Sequence, residues 1–185
     1  MATSFGPSAL LTPANGVTLA RVAFTPVLLA IIVSSGASYP VLVAWIVLAA
    51  TDGVDGYLAR RHGTTRSGAF LDPLADKLLV IGALVALVAK GTFWWLPVTL
   101  IAVREVAMSA YRSWVGRRGV SIPARQSAKV KTVVQEVAVG LALAPIVADH
   151  ALWLATGVLW AAVVLTVGTG VQYLLDASGA RTRAG

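Results

Sequence analysis

Long apolar stretches separated by short polar segments dominate the chain. Residues 22–51 contain no Asp, Glu, Lys, Arg or His, and a transmembrane helix needs only about 20 predominantly apolar residues. Polar breaks such as Ser34-Ser35-Gly36 divide the chain into six apolar segments, at residues 15–35, 39–60, 72–90, 93–115, 130–148 and 152–175. The pattern therefore predicts an all-α, polytopic membrane protein with six transmembrane helices.

The composition agrees with this prediction and excludes other classes. Hydrophobic residues make up 57% of the 185 residues and charged residues 12%, about half the charged fraction of a soluble domain. A disordered chain and an ordinary soluble enzyme are both excluded. The chain has no cysteine, which excludes disulfides and thiolate catalysis. We predict one membrane-embedded domain over residues 1–185, with an interfacial segment at 1–12 and a tail at 176–185.

The net charge of +7 comes from basic residues placed beside the predicted spans. One side of the membrane receives most of them: Arg60, Arg61, Arg66, Arg117, Arg118, Arg125, Arg181 and Arg183. The opposite side receives only Lys90. The positive-inside rule then places both termini and the basic loops on the cytoplasmic side. We expect the protein to lie in the inner membrane of the cell. Charges that adjoin spans contact anionic membrane lipids, so we expect no nucleic acid as a partner.

Four carboxylates lie at the ends of the second and third apolar segments. Asp52 and Asp55 are three residues apart, and Asp72 and Asp76 are four apart, so each pair shares one helix face. A charge at the centre of a membrane helix costs roughly 2.5–3.5 kcal/mol, which a bound divalent cation offsets. Oxygen ligands favour Mg²⁺, Mn²⁺ or Ca²⁺. The alternative is that Asp72, followed by Pro73, caps the third helix.

Small and basic residues accompany these carboxylates at fixed spacing. The string reads Asp52-x-x-Asp55-Gly56-x-x-Ala59-Arg60, then seven residues, then Gly68-x-x-x-Asp72-x-x-x-Asp76. Small residues let a phosphorylated group approach the backbone, or let helices pack closely, and arginine is a forked donor for phosphate. The string resembles the signature of the CDP-alcohol phosphotransferases, membrane enzymes of phospholipid synthesis. The usual spacer is one residue longer.

The resemblance implies a reaction and a site. Enzymes of this family transfer a phosphatidyl or similar group from a CDP-linked donor to an alcohol and release CMP. They are typically homodimers of six-span protomers, in which the motif aspartates hold two divalent ions, Mg²⁺ or Mn²⁺. Carried over by position, Asp52, Asp55, Asp72 and Asp76 are the metal ligands, and Asp76 is also the general base. The implied contacts with the CDP donor are Gly56, Ala59, Arg60, Thr65 and Gly68.

A second resemblance lies in the first apolar segment. The run Asn15-x-x-Thr18-Leu19-x-Arg21 is similar to one at the start of many family members, and it implies that Asn15 and Thr18 lie near the donor headgroup. The alternative is structural: Asn15 caps the first helix and Arg21 extends its charged group towards the membrane surface.

Cations near the last aspartate indicate a phosphorylated acceptor. They are Lys77, Arg104, Arg112, Lys129 and Lys131. The strings Arg104-Glu105-Val106, Tyr111-Arg112 and Lys129-Val130-Lys131-Thr132-x-x-Gln135 resemble the branch of the family that makes phosphatidylglycerophosphate. That branch implies CDP-diacylglycerol as donor and sn-glycerol 3-phosphate as acceptor.

Alternatives to this acceptor site remain open in the sequence. Arg104 and Glu105 could form a buried structural ion pair, and Lys129 and Lys131 could serve membrane topology alone. Within the family, the acceptor could be inositol phosphate, or phosphatidylglycerol as in cardiolipin synthase. Outside it, the carboxylates could serve a divalent-cation transporter. A transporter predicts carboxylates deeper in the spans, where only Glu105 and Glu136 occur, or a repeat architecture.

Overall fold

The computed structural model describes residues 13–62, 66–116 and 126–182, with side chains described for 15–51, 73–111, 113–114 and 130–170. Every regular element within these ranges is an α-helix. Six helices are long and one is short: α1 (Pro13–Ser35), α2 (Tyr39–His62), α3 (Arg66–Ala89), α4 (Trp95–Gly116), α5 (Gln126–Leu143), α6 (Pro145–His150) and α7 (Leu152–Thr182). The all-α prediction is confirmed.

The long helices alternate in direction between two ends of a bundle. At one end, called the turn end, the chain reverses at residues 36–38, 90–94 and 144–151. Gly36 has a φ of +73°, a backbone conformation that favours glycine. Lys90 lies beside it, and its Nζ donates a hydrogen bond to the carbonyl of Ser34 at 3.0 Å. The helix starts of α1, α3 and α5 and the helix ends of α2, α4 and α7 therefore gather at the opposite end, called the polar end.

Helix α1 packs against both α2 and α3, and α5 packs against α7. The α1–α3 approach is close, because a Cβ at Gly82 would lie 2.7 Å from Cδ1 of Leu29. Among the described residues, α2 and α3 meet each other less extensively than either meets α1. The buried indole of Trp45 joins α2 to α5 by donating to the carbonyl of Glu136 at 3.3 Å.

The interior is divided into an apolar half and a polar half along the helix axes. On α1, the buried positions near the turn end are Leu28 and Ile32, whereas those near the polar end include Thr18 and Arg21. Helices α4, α5 and α7 show the same division. The buried polar side chains of the described residues are Asn15, Thr18, Arg21, Thr25, Glu105, Lys131, Gln135, Thr166 and Thr169. The apolar half holds the bundle together, and the polar half gives it an interior that can bind a charged ligand.

Two predicted boundaries beside prolines were wrong, and so was the predicted end at residue 175, because α7 continues to Thr182 into the predicted tail. The third helix was expected from residue 72, but α3 begins at Arg66 and continues through Pro73. Asp72 therefore lies inside the helix, and the capping alternative for it is wrong. The fifth segment was expected to be continuous over 130–148, but α5 ends at Leu143 and Pro145 begins α6, because proline is favoured at the start of a helix and disrupts its interior.

The protein is a membrane protein by its helices and its surface. Within the described residues, the helices at Asn15–Ser35 and Leu152–Gly170 are long and apolar enough to cross a bilayer, and a shorter apolar helix covers Tyr39–Thr51. Large apolar side chains such as Phe24, Val43, Val103 and Val164 face outwards, each more than half exposed. Soluble proteins rarely expose apolar surface on this scale. The count of six spans stays a prediction.

Candidate active site

The polar face of α1 fixes one side of the site. Arg21 is 1% exposed, and its Nε donates to Oγ1 of Thr51 on α2 at 3.0 Å. Thr51 directly precedes Asp52 in the chain. Asn15 lies inside α1, which begins at Pro13, and it is buried. The capping alternative for Asn15 and the surface-seeking alternative for Arg21 are therefore both wrong.

The backbones of all four motif aspartates are helical. Asp52 and Asp55 lie in the second half of α2, and Asp72 and Asp76 lie in the first half of α3. Of these side chains only that of Asp76 is described, and it is half-buried. The other predicted positions of the donor site, Gly56, Ala59, Arg60, Thr65 and Gly68, lie outside the residues whose side chains are described.

Whether a metal fits here is judged from the type of ligand atoms that the four aspartates offer, because the structure does not describe all four side chains. Among the described side chains no three of His, Cys, Asp and Glu come together, since Asp76 is the only member of the predicted set in that range. The helical backbone does keep the three- and four-residue spacings that put each pair on one face. Four carboxylates on two neighbouring helices supply the oxygen ligands that Mg²⁺ and Mn²⁺ prefer.

Cations from three helices come together within electrostatic range of Asp76. The ammonium of Lys131 on α5 donates to Oε1 of Glu105 on α4, and Nη1 of Arg104 donates to the same oxygen at 3.1 Å. Lys77 on α3 donates to Oγ of Ser109. Arg104, Lys77 and Asp76 all lie close enough to Lys131 to act on it electrostatically. Three of the five predicted acceptor cations thus come together, while the side chains of Arg112 and Lys129 lie outside the described residues.

The contacts decide between the alternatives for these cations. The Arg104–Glu105 ion pair is present, as the structural alternative predicted. Lys131 is 4% exposed, so membrane topology alone does not explain it, because a cation that only marks the cytoplasmic side would lie at the surface. Burial of an unpaired charge is costly, and Glu105 provides the counter-charge. Glu105 therefore serves as the counter-charge for both Arg104 and Lys131.

Two neutral side chains that the sequence did not single out lie on α7: Thr169 joins the cluster through Arg104, and Thr166 lies beside it. Oγ1 of Thr169 accepts from Nη2 of Arg104 at 2.8 Å, and Oγ1 of Thr166 accepts from Nε2 of Gln135 at 3.2 Å. Both threonines lie on α7 and are buried. They continue the register of Ala155, Leu159 and Ala162 at intervals of three or four residues. That helical period is the signal that could have found them.

The comparison with known families agrees with this geometry. The sequence profile of CDP-alcohol phosphatidyltransferase matches residues 11–168, which include the four motif aspartates and all five predicted acceptor cations. The chain belongs to the CDP-alcohol phosphatidyltransferase family. The family is one of transferases in phospholipid biosynthesis, and its members generally use divalent metal ions.

Curated relatives are similar over most of their length. A probable phosphatidylglycerophosphate synthase of Mycobacterium tuberculosis is 42% identical over 182 residues, which cover 92% of this chain and 86% of the relative. The CDP-diacylglycerol–glycerol-3-phosphate 3-phosphatidyltransferases of Yersinia enterocolitica and Yersinia pestis are 43% identical over 140 residues, 71% of this chain and 75% of each relative. The predicted family is confirmed.

Proposed function

We propose that this enzyme transfers the phosphatidyl group of CDP-diacylglycerol to sn-glycerol 3-phosphate and releases CMP. The observation that carries the proposal is the group of Lys77, Arg104 and Lys131 beside Asp76. An acceptor that carries a phosphate needs cations near the group that removes its hydroxyl proton. The names of the relatives, which specify this donor and acceptor, support the same choice.

The proposed reaction forms one bond and breaks one. The acceptor hydroxyl oxygen attacks the phosphorus of the phosphatidyl group, and the bond from that phosphorus to the CMP oxygen breaks. Asp76 takes the proton of the hydroxyl as general base. Arg104, Lys131 and Lys77 hold the acceptor phosphate, with Arg112 and Lys129 in the same role. Asn15, Thr18, Gly56, Ala59, Arg60, Thr65 and Gly68 contact the donor.

Two divalent ions, Mg²⁺ or Mn²⁺, complete the proposed site. Asp52, Asp55, Asp72 and Asp76 would hold them, since a set of four carboxylates suits hard cations. When bound, such ions stabilise the charge that develops on the attacking and leaving oxygens. Arg21 supports this part of the site from α1, because it holds Thr51, the neighbour of Asp52 in the chain.

We further propose that the chain forms one six-span domain in the inner membrane, with its polar end on the cytoplasmic side. We also propose that the protein is a homodimer. Six long helices of alternating direction support the span count. The exposed aromatic side chains of Tyr39, Trp94, Trp95 and Trp153 lie at the turn end, where an aromatic belt is expected at the membrane surface.

Because the chain lacks cysteine, a single cysteine introduced by Ala37→Cys can be labelled alone to test the orientation. An impermeant maleimide should label this cysteine in intact cells. If the cysteine is labelled only after the cells are permeabilised, the protein has the opposite orientation.

The acceptor assay tests the function itself. Purified protein in nanodiscs receives labelled CDP-diacylglycerol with glycerol 3-phosphate, inositol phosphate or phosphatidylglycerol, one at a time. We expect rapid product formation with glycerol 3-phosphate only. Arg104→Lys should raise the acceptor KM with little change in the donor KM, because an ammonium cannot reproduce the two-pronged guanidinium contact. Equal use of inositol phosphate would overturn the choice of acceptor.

The transporter hypothesis has no support from these findings. The family is one of transferases, and Glu105, one of the two carboxylates expected on an ion path, is ion-paired with Arg104 and Lys131.

A further inference from the structure

Helix α7 contacts the proposed acceptor site through one neutral oxygen. Between Leu152 and Gly170 it carries no charged residue, yet Oγ1 of Thr169 accepts a hydrogen bond from Nη2 of Arg104 at 2.8 Å. Thr169 is 6% exposed and lies one residue beyond the matched family profile. Hydrogen bonds to charged groups are the stronger kind, so this contact is an energetically significant link between α4 and α7.

The Thr169 hydroxyl is itself held in one orientation. The carbonyl of Leu165 lies 2.8 Å from its oxygen and that of Thr166 lies 3.0 Å away. A hydroxyl has one proton and two acceptor lone pairs. With the proton directed to the backbone of α7, a lone pair is directed to Arg104. The threonine therefore presents a fixed acceptor to the guanidinium.

Arg104 is consequently fixed at both ends of its guanidinium. Nη1 donates to Glu105 at 3.1 Å and Nη2 to Thr169. The arginine also lies against the backbone of α7, because a Cβ at Gly170 would meet its Nε at 3.6 Å and its Cγ at 3.8 Å. Two anchors on a planar group determine the direction of its plane. Pre-organised donors bind a phosphate with less loss of side-chain entropy.

We propose that Thr169 is a positioning residue for the acceptor phosphate and acts through Arg104. This inference rests on the proposed function, in which Arg104 binds the phosphate of glycerol 3-phosphate. Thr169 itself does not touch the substrate. Its hydroxyl sets the orientation of the guanidinium, and it thereby sets the affinity for a phosphorylated acceptor without changing the donor site.

The chain offers a matched control three residues away. Thr166 is also buried on α7, but its hydroxyl accepts from Gln135 at 3.2 Å, so it has no direct hydrogen bond to Arg104 that could be lost. Thr169→Val and Thr166→Val each replace a hydroxyl by a methyl group of similar size. Thr169→Ser keeps the hydroxyl and tests rescue. All three are purified in nanodiscs, and the two substrates are varied separately in the transfer assay.

The expected result is a split between the two substrates. Thr169→Val should raise the acceptor KM about tenfold, equivalent to about 1.4 kcal/mol, while the donor KM stays within about twofold. Thr169→Ser should restore the acceptor KM to within about twofold of the unaltered protein. Thr166→Val should leave both KM values within that range.

Two results overturn the inference while the proposed function stands. One is an active Thr169→Val variant with the acceptor KM of the unaltered protein. The other is an equal rise of both KM values in Thr169→Val and Thr166→Val, which would mean that the two hydroxyls only stabilise the bundle. An unaltered protein that transfers nothing to glycerol 3-phosphate overturns the proposed function and, with it, this inference.

Discussion

The ammonium of Lys131 on α5 donates a hydrogen bond to Oε1 of Glu105 on α4, and both side chains are almost completely buried. The same carboxylate oxygen accepts from Nη1 of Arg104. One buried anion therefore compensates a buried cation and a partly buried one. Because breaking a buried ion pair leaves an uncompensated charge, the two members of the Lys131–Glu105 pair should differ in their importance for stability.

We predict that Glu105→Gln destabilises the protein more than Lys131→Met does. The glutamine leaves Arg104 and Lys131 without their shared carboxylate, and removal of one partner from a buried pair costs roughly 3–5 kcal/mol. Lys131→Met leaves Glu105 paired with Arg104, so we expect it to destabilise the protein less than Glu105→Gln does. The measurement is the temperature at which each variant loses its monodisperse peak in gel filtration after heating in detergent.

The double variant Glu105→Gln/Lys131→Met provides the control. It removes one of the two cations that the glutamine leaves uncompensated, so it should be at least as stable as Glu105→Gln alone. If Lys131→Met is the less stable of the two single variants, Glu105 is not the shared counter-charge.

Most of the helices could be predicted from the sequence because their ends are marked locally. The break at Ser34-Ser35-Gly36 and the Tyr39-Pro40 start predict α1 and α2 to within two residues. The prolines were harder to interpret, because whether a proline interrupts a helix depends on how that helix packs in the folded protein. Pro73 lies inside α3, whereas Pro145 separates α5 from α6. Asp72 precedes Pro73 and Ala144 precedes Pro145. Neither neighbour indicates whether the proline lies inside a helix or at the start of one.

In the acceptor part of the candidate site, the cations could be predicted from the sequence and the neutral threonine that contacts Arg104 could not. Lys77, Arg104 and Lys131 were conspicuous because cations are rare in apolar segments. Thr169 was not, since a threonine in an apolar helix is unremarkable until its neighbour on another helix is known. The burial of Lys131 also required the fold, because only the packing of both α4 and α5 against α7 brings Glu105 to it.

A second prediction concerns the hydrogen bond from Arg21 to Thr51. Thr51→Val removes the acceptor at Oγ1 and keeps the shape, whereas Thr51→Ser keeps the hydroxyl. Losing a hydrogen bond to a charged group costs about 1.5–3 kcal/mol. Because Thr51 precedes Asp52, we expect Thr51→Val to weaken the activation by Mg²⁺ or the use of CDP-diacylglycerol, with the acceptor KM unchanged. Both are measured by titration in the transfer assay.

The serine variant separates this effect from a general loss of packing. Thr51→Ser should behave like the unaltered protein in both titrations. A Thr51→Val variant that changes only the acceptor KM would contradict the assignment of this contact to the donor and metal side of the site.

A third prediction concerns metal dependence. Removal of divalent ions with EDTA should abolish CMP release, since the four proposed carboxylate ligands would repel one another and leave the leaving group without charge compensation. Mg²⁺ or Mn²⁺ should restore the activity, and Zn²⁺ should restore it less well, because hard oxygen ligands favour the former. Full turnover in buffer treated with a chelating resin would remove the metal from the mechanism.

The last prediction concerns Asp76, the one motif aspartate whose side chain lies within the described residues. Asp76→Asn keeps the size of the side chain and removes its ability to accept a proton. Transfer should fall roughly 10²-fold or more if general-base catalysis is lost, while binding of CDP-diacylglycerol partly survives. Since Asp76 is also a proposed metal ligand, Mn²⁺ occupancy is measured alongside by electron paramagnetic resonance. Lost turnover with retained Mn²⁺ identifies the base, lost turnover with lost Mn²⁺ identifies a ligand, and near-normal turnover excludes both roles.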